Sequence, residues 1–222
     1  MQHFLWKGNA MKGVKFGSLH SYDTWGLLLS SKEIGSPEVK EKKIELEGAD
    51  GQLDFTEYFG GVKYGNRKLK FEFQKGVSSA DFLTLVSQVQ DAIHGKKLTV
   101  TLDDDPDWYY QGRCKVADFS HSKGIAAVNI EVDAEPYKLE KVATKATQAV
   151  TGTATIKLTG SRKPVVPTIT TTAAMTIAFG TYTAAVQAGT FRLPELQLQE
   201  GQSTVTVTGT GSITFEYRKG KL

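Results

Sequence analysis

The sequence has a single cysteine, Cys114, and four widely separated histidines. One cysteine can form neither an internal disulfide nor a thiolate metal cage. We interpret Cys114 as a buried structural thiol, because free cysteine is among the most buried residue types. The histidines lack the spacing of metal ligands, and His94 falls in the last turn of a predicted helix, where the helix dipole favours a cation. These absences predict a protein without a metal or any other cofactor.

Long apolar runs and concentrated charge are also missing. The longest apolar run, WGLLL from Trp25 to Leu29, is far too short to cross a bilayer. The first sixteen residues contain no apolar core of the length that signal peptides have. The net charge of +3 is too small to indicate nucleic-acid binding, which requires clustered basic residues on one face. We therefore expect a protein that folds in a reducing cytoplasm, with no membrane segment and no secretion.

A glycine-rich stretch runs from Gly48 to Phe73 and invites comparison with a phosphate-binding loop. Such a loop lies between a strand and the N-terminus of a helix, whereas these glycines lead into the strand-like segment KLKFEF. Neither of the two glycine spacings typical of nucleotide-binding loops occurs. Asp-Gly pairs tolerate positive φ and are typical of tight turns. We therefore interpret the following residues as turns between strands: Gly48, Asp50, Gly51, Gly60, Gly61 and Gly65.

An acidic segment, DDDPDW from Asp103 to Trp108, is the strongest candidate for a metal site. An EF-hand loop that starts at Asp103 needs Gly at its sixth position and Glu at its twelfth, where this sequence has Trp108 and Cys114. The segment is better interpreted as an exposed acidic turn in which Pro106 fixes φ. Alternatively, its carboxylates meet basic residues of a neighbouring subunit. No G-x-S-x-G motif marks a nucleophile, so we expect no enzyme.

The first half of the chain contains one convincing amphipathic helix. The segment SSADFLTLVSQVQDAIHG has an N-cap at Ser78 that pairs with Asp81, and it ends at Gly95. The predicted apolar stripe consists of Phe82, Leu83, Val86, Val89 and Ile93.

Strand-like alternation surrounds this helix. It is present in KKIELEG, KLKFEF, KKLTVTL and IAAVNIEVDA, where apolar and polar residues take turns. A single amphipathic helix must bury its stripe against a sheet. The sequence therefore predicts a mainly β fold in which an N-terminal domain, an antiparallel or mixed β-sheet with a single packed helix, occupies residues 1–141.

The composition changes from about Val142, where charges become sparse and Thr and Ala dominate. The opening, Ala143 to Gln148, is interpreted as a disordered linker. Beyond it, TATIKL, AMTIAF, STVTVTG and SITFEY alternate as strands do, and Gly and Pro separate them. Many short strands without a helix predict a small β-sandwich domain over residues 142–222.

Several segments together resemble the distal tail (Dit) proteins of long-tailed phages with non-contractile tails. The segments are Y-x-x-x-G-L from Tyr22, I-x-x-P-E from Ile34, G-x-D-G-x-L-D from Gly48, Y-G-N-R from Tyr64, DDDPDWYYQGRC, EPYKLE and the terminal GSITFEYRKGKL. They stand in the family's order and cover nearly the whole chain, although the Thr-rich part from Ala143 to Ala188 carries no motif.

The resemblance implies a structural component of a phage or prophage rather than a catalyst. It implies a homo-hexameric ring at the virion tail tip, in which an arm-like β-hairpin of each N-terminal domain embraces the next subunit and the C-terminal domain is a galectin-like β-sandwich. The implied partners are the major tail tube protein on one ring face and the tail-associated lysin or tail fibre on the other, and DNA passes through the channel without specific binding. The protein would be made in the cytoplasm of the bacterial host.

The long segment from Ile34 to Tyr64 has few large apolar residues for its length, so we expect it to pack on a neighbouring subunit. Exposed sheet edges also need a partner strand. The predicted subunit interface comprises Ile34, Pro37, Val39, Ile44, Leu46, Tyr64, Arg67, Asp104 and Asp105.

Two other functions remain open from the sequence. One is a carbohydrate-binding module that recognises a cell-wall glycan through the C-terminal sandwich, with Tyr182 and Phe191 as aromatic contacts. The other is a hydrolase whose catalytic groups are distant in sequence.

Overall fold

Strands dominate the computed structural model, which describes residues 13–58 and 60–222. The predicted mainly β fold is confirmed. Contacts divide the chain into two units between Pro136 and Tyr137. The domain limits expected from the sequence, 1–141 and 142–222, remain a prediction.

The first unit consists of nine strands and two helices within the described residues. They are β1 Val14–Phe16, β2 Leu19–His20, α1 Ser21–Trp25, β3 Leu28–Ile34, β4 Lys43–Glu45, β5 Gln52–Asp54, β6 Arg67–Gly76, α2 Ser79–Ile93, β7 Lys97–Leu102, β8 Trp108–Ser122 and β9 Ile125–Ala134. Seven strands form one sheet in the order β2-β1-β7-β8-β9-β6-β3, and each of these described pairs is antiparallel. Strands β4 and β5 form a separate two-stranded sheet.

The core of this unit lies on the inner face of a curled sheet. Leu69, Phe71 and Phe73 of β6 are buried while the alternating residues of this strand are exposed, as the period of two predicts. Phe16 of β1 stacks edge-on against Phe71, with ring centroids 6.0 Å apart. Because β1 and β6 are separated by three strands in the sheet order, this contact requires the sheet to curl around its core.

Helix α2 begins as the sequence predicts and covers the core with a slightly different stripe. The side chain of Ser78 accepts a hydrogen bond from the backbone N–H of Asp81. Leu83, predicted to face the core, is 65% exposed, and Leu85 is buried in its place. At about 100° per residue, Leu83 lies roughly 120° around the helix from the buried Val89, whereas Leu85 lies only about 40° away.

The second helix, α1, was not predicted. It spans five residues, too few for a periodic apolar pattern. The His20 side chain caps its N-terminus, and Gly26 ends it in the left-handed conformation at φ 68°. Neither α1 nor α2, the helices of the described residues, has the length and apolar character needed to cross a membrane.

The second unit contains strands only, among its described residues. They are β10 Lys138–Glu140, β11 Thr144–Gly160, β12 Thr168–Thr171, β13 Met175–Phe179, β14 Tyr182–Val186, β15 Gly189–Phe191, β16 Gly201–Tyr217 and β17 Gly220–Lys221. The main sheet has the order β14-β13-β16-β12-β15, with β11 on the other edge of β16, and β10 pairs with β17. The expected sandwich is therefore built from one six-stranded sheet together with the separate β10–β17 pair.

Strand β16 is shared by two halves of this sheet. Its residues 206–209 pair with β13 and its residues 213–216 pair with β12. Gly209, at the end of the first stretch, and Gly211, between the two, adopt φ values of 150° and 148°, which L side chains rarely adopt. Val207 before the glycines and Phe215 after them are buried in the same core cluster. The glycines thus let one long strand supply both halves of the core.

The segment Ala143 to Gln148, expected to be disordered, belongs to a strand from Thr144 onwards. Strand β11 pairs with β16 without interruption from Thr144 opposite Tyr217 to Gly160 opposite Gly201. The expectation was wrong because the ladder satisfies the backbone along its whole length, which a Thr-rich composition does not reveal.

Candidate functional site

A β-hairpin arm leaves the curled sheet of the first unit; we define the arm as residues 35–58 and 60–66. At its base the backbone N–H of Gly35 donates to Lys68 O over 2.8 Å. Further out, Val39 pairs with Tyr64 in an isolated antiparallel bridge. Strands β4 and β5 complete the arm, with Ile44 directly opposite Leu53. The arm is thus tied to the seven-stranded sheet at its base, and further out its own ladder holds it together.

The two faces of the arm differ in character. Ile44 and Leu53 lie side by side on one face, and they are 43% and 48% exposed. Leu46, two residues beyond Ile44, lies on the same face and is 49% exposed. The opposite face carries polar residues such as Lys43 and Gln52. A contiguous apolar face on a projecting element is typical of a protein-interaction surface.

The predicted turn residues lie where the arm changes direction. Gly48, Gly51, Gly60 and Gly61 have φ between 81° and 83°. Asp50 lies in the bend between β4 and β5. Gly65 differs from the others, because its N–H donates to Glu38 O within the ladder.

The predicted interface residues near the base of the arm are more enclosed. Ile34 packs partly buried against the core, and Pro37 is half-buried. Arg67 is buried: its Nε donates to Gly35 O over 2.8 Å, and its guanidinium lies 5.3 Å from the ring centroid of Tyr110. Arg67 therefore fixes the base of the arm within its own chain, which gives no support to a role between subunits.

The acidic segment after β7 finds its partners within the same chain. Asp103 Oδ2 accepts from the backbone N–H of Gly13 over 2.7 Å and lies 2.9 Å from His20 Nε2. Asp104 forms an ion pair with Lys32 of β3. These intrachain contacts give the carboxylates partners of their own, and the alternative that Asp104 and Asp105 meet basic residues of a neighbouring subunit stays a prediction.

Asp105, the remaining predicted interface residue, closes the turn before β8. Its N–H donates to Leu102 O over 3.0 Å, and its carbonyl accepts from the N–H of Trp108 over 3.2 Å. Within residues 13–58 and 60–222, no group of three His, Cys, Asp or Glu side chains could hold a metal ion.

Cys114 does not have the environment of a nucleophile. It is fully buried in β8, and burial raises the pKa of its thiol to about 11. The thiolate is the reactive form of cysteine, so this thiol is almost entirely protonated and unreactive near neutral pH. The adjoining cavity of about 330 Å³ is lined by Cys114 itself and by residues such as Lys68, His94 and Arg113.

The two aromatic residues proposed for glycan stacking are engaged within the second unit. Phe191 packs partly buried against the core, and the pKa of the Tyr182 hydroxyl is raised by desolvation and by the nearby Glu195 carboxylate. They also lie on β15 and β14, at the two ends of the strand order. These contacts do not favour a sugar-stacking platform.

Sequence reasoning missed two features. The first is Leu53, which the Asp-Gly turn could have placed opposite Ile44. The second is a cavity of about 450 Å³ in the second unit, lined by Lys163, Arg192 and Arg218. The three residues are far apart in sequence, and no local pattern brings them together.

No protein-family model matches the sequence, and no curated protein matches it. Among solved structures, the crystal structure of the Dit protein of phage SPP1 superposes with a TM-score of 0.72 at 14% sequence identity, over 96% of this chain and 100% of that one. This chain has the fold of SPP1 Dit. SPP1 Dit is described as a paradigm of the hub adsorption apparatus in phages that infect Gram-positive bacteria.

A second solved structure, the conserved protein of unknown function PA5104 from Pseudomonas aeruginosa PAO1, matches at 10% identity over 86% of this chain and all of that one. Its TM-score of 0.28 is too low to support a conclusion about the fold of this chain.

Proposed function

We propose that this protein is a hub component at the tail tip of a long-tailed phage or prophage, with a structural and non-catalytic role. The observation that carries the proposal is the likeness to SPP1 Dit along essentially the full length of both chains. A fold alone does not specify a function. The proposal therefore also uses the arm, whose apolar face needs a partner outside the described part of its own chain.

The protein acts as a homo-hexameric ring in which each arm packs on the next subunit. The arm contact is heterologous, because one subunit supplies the arm and its neighbour supplies a different surface. Repetition of such a contact produces a closed ring when the rotation between subunits closes. Burial of Ile44, Leu46 and Leu53 against the neighbour would remove apolar area from water and stabilise the assembly.

The ring connects two parts of the virion. One face binds the major tail tube protein, the other binds the tail-associated lysin or a tail fibre, and DNA passes through the channel without sequence-specific contacts. The protein is made in the host cytoplasm and ends at the virion tail tip.

The test is the mass and shape of the purified full-length protein. Light scattering coupled to size-exclusion chromatography should give six times the 24.3 kDa chain mass. Negative-stain images of the same fraction should show rings with six-fold symmetry. A monomer at every concentration, both alone and after mixing with its tail tube protein, would refute the ring.

A further inference from the structure

The second unit contains a cavity with the size and lining of a small-molecule site. Its volume of about 450 Å³ falls within the range typical of ligand pockets. Its apolar lining includes Leu139, Val165 and Val166. The polar part of the lining is dominated by cations: Lys163, Arg192 and Arg218.

Most of the hydrogen-bond donors of these cations are unused within the described chain. The Lys163 ammonium makes no hydrogen bond or ion pair with any described residue. Arg192 uses only Nε, which donates to Thr168 Oγ1 over 3.0 Å, so both terminal nitrogens lack a partner among residues 13–58 and 60–222. Arg218 uses only Nη1, which donates to the carbonyls of Glu140 and Lys141. These contacts orient the two guanidinium groups and leave charge-bearing donors at the cavity.

The cavity has little negative charge to balance these cations. Its one acidic lining residue, Glu216, already forms an ion pair with Lys145 at 3.2 Å. The whole second unit, residues 137–222, has ten Lys and Arg residues, four Glu and no Asp, which gives it a formal charge of +6. The local and the regional charge therefore favour an anionic ligand.

We propose that this cavity binds an organic phosphate. A ligand with one carboxylate has a single negative charge, which is less than three cationic side chains can balance. A phosphomonoester carries a charge of about −1.5 to −2 and three acceptor oxygens, and therefore matches them better. The planar guanidinium of Arg192 suits bidentate binding of a phosphate, and Lys163 supplies a point charge. The volume leaves room for a sugar-sized group, which would contact the apolar lining residues.

The test is a calorimetric titration of the full-length protein at constant ionic strength with four probes. They are glucose 6-phosphate, inorganic phosphate, glucuronate and glucose. Glucose 6-phosphate should bind best, inorganic phosphate should bind more weakly because it lacks the sugar, and glucose should not bind. Equal binding of glucuronate and glucose 6-phosphate would overturn the choice of phosphate, and equal binding of glucose would overturn the anionic site altogether.

Variants assign the binding to the cavity. Lys163→Gln and Arg192→Gln should each weaken glucose 6-phosphate binding by about tenfold or more, because charge-assisted hydrogen bonds are lost. Arg162→Gln is the matched control, since Arg162 belongs to the same unit but pairs with Glu200 outside the cavity lining. Circular dichroism identifies any variant that fails to fold, and Arg192→Lys then provides a milder test of the bidentate contact. Wild-type affinity in the Lys163 and Arg192 variants, or an equal loss in the Arg162 variant, would overturn the proposed site.

Discussion

Lys32 and Asp104 form an ion pair that links β3 to the turn after β7. Three strands, β8, β9 and β6, separate β7 from β3 in the sheet order. The pair therefore joins parts of the sheet that only its curl brings together. Through this pair the acidic segment from Asp103 to Trp108 contributes to holding the curled sheet together.

Removal of this ion pair should reduce stability without changing assembly. Asp104→Asn is expected to lower the free energy of unfolding by about 0.5–1 kcal/mol, since both side chains are only partly buried. Urea denaturation measures the change, and Glu33→Gln, which breaks the more exposed pair of Glu33 with Lys70, serves as the control with a smaller effect. Unchanged stability combined with a lost oligomer would show that Asp104 acts between subunits after all.

The apolar face of the arm should be required for the ring and dispensable for folding. Ile44→Ser combined with Leu53→Ser should convert the oligomer to monomers, because it removes apolar area from the proposed contact. The monomers should still unfold in one cooperative transition, since both side chains are already about half exposed within the single chain. Light scattering and thermal unfolding measure the two outcomes.

The matched control places two serines on the opposite face of the same arm, at Lys43 and Gln52. This variant should keep the oligomer. If both double variants behave alike, the arm acts through its backbone or its overall fold, and the apolar face is not the contact.

Gly112 should be intolerant of even a methyl group. A Cβ at this position would lie 2.6 Å from Asp133 O and 2.7 Å from Ala134 Cα, both backbone atoms of the neighbouring β9. Gly112→Ala is therefore expected to lower the free energy of unfolding by about 1–3 kcal/mol through overpacking. Gly76→Ala, in the same sheet but with no atom within 4 Å of the added Cβ, should change it far less. If chemical denaturation gave the same loss of stability for both variants, the close approach of β9 to Gly112 would be contradicted.

Cys114 should make stability depend on pH in the alkaline range. Burial raises the pKa of this thiol from 9.0 to about 11, so between these values the folded chain holds a proton that the unfolded chain releases. The contribution of the protonated thiol to the free energy of unfolding is fully present below pH 9 and is lost as the pH rises to 11. The difference of about two pKa units corresponds to a loss of roughly 2–3 kcal/mol. Urea unfolding of the wild type and of Cys114→Ala should give curves that converge by this amount over that range. Parallel curves would show that the thiol does not have the raised pKa.

Local patterns in the sequence predicted the elements with strong periodicity, whereas the shorter strands and α1 were missed. Alternation in KLKFEF correctly placed Leu69, Phe71 and Phe73 in the core, and Ser78 correctly marked the start of α2. The error between Leu83 and Leu85 arose because both are apolar, and only the direction of the sheet decides which one is buried.

Features that depend on distant residues could not be predicted in this way. Lys32 and Asp104 are 72 residues apart, and no local pattern indicates that they meet. The strand from Thr144 has a linker-like composition, and its partner, β16, lies at the other end of the unit, so no local pattern reveals the pairing. The cationic cavity likewise depends on segments around residues 163, 192 and 218, which only the fold brings together.

The uninterrupted pairing of β11 with β16 also constrains how the second unit folds. The first residue pair, Gly160 opposite Gly201, forms only after residues 161–200 have been closed into a loop. The entropy cost of closing this loop must be met before the later pairs of the ladder can contribute stabilising hydrogen bonds. Because β12 and β13 both hydrogen-bond to β16, both lose this pairing when β16 detaches from the sheet. The unit should consequently fold slowly and melt in a single cooperative step.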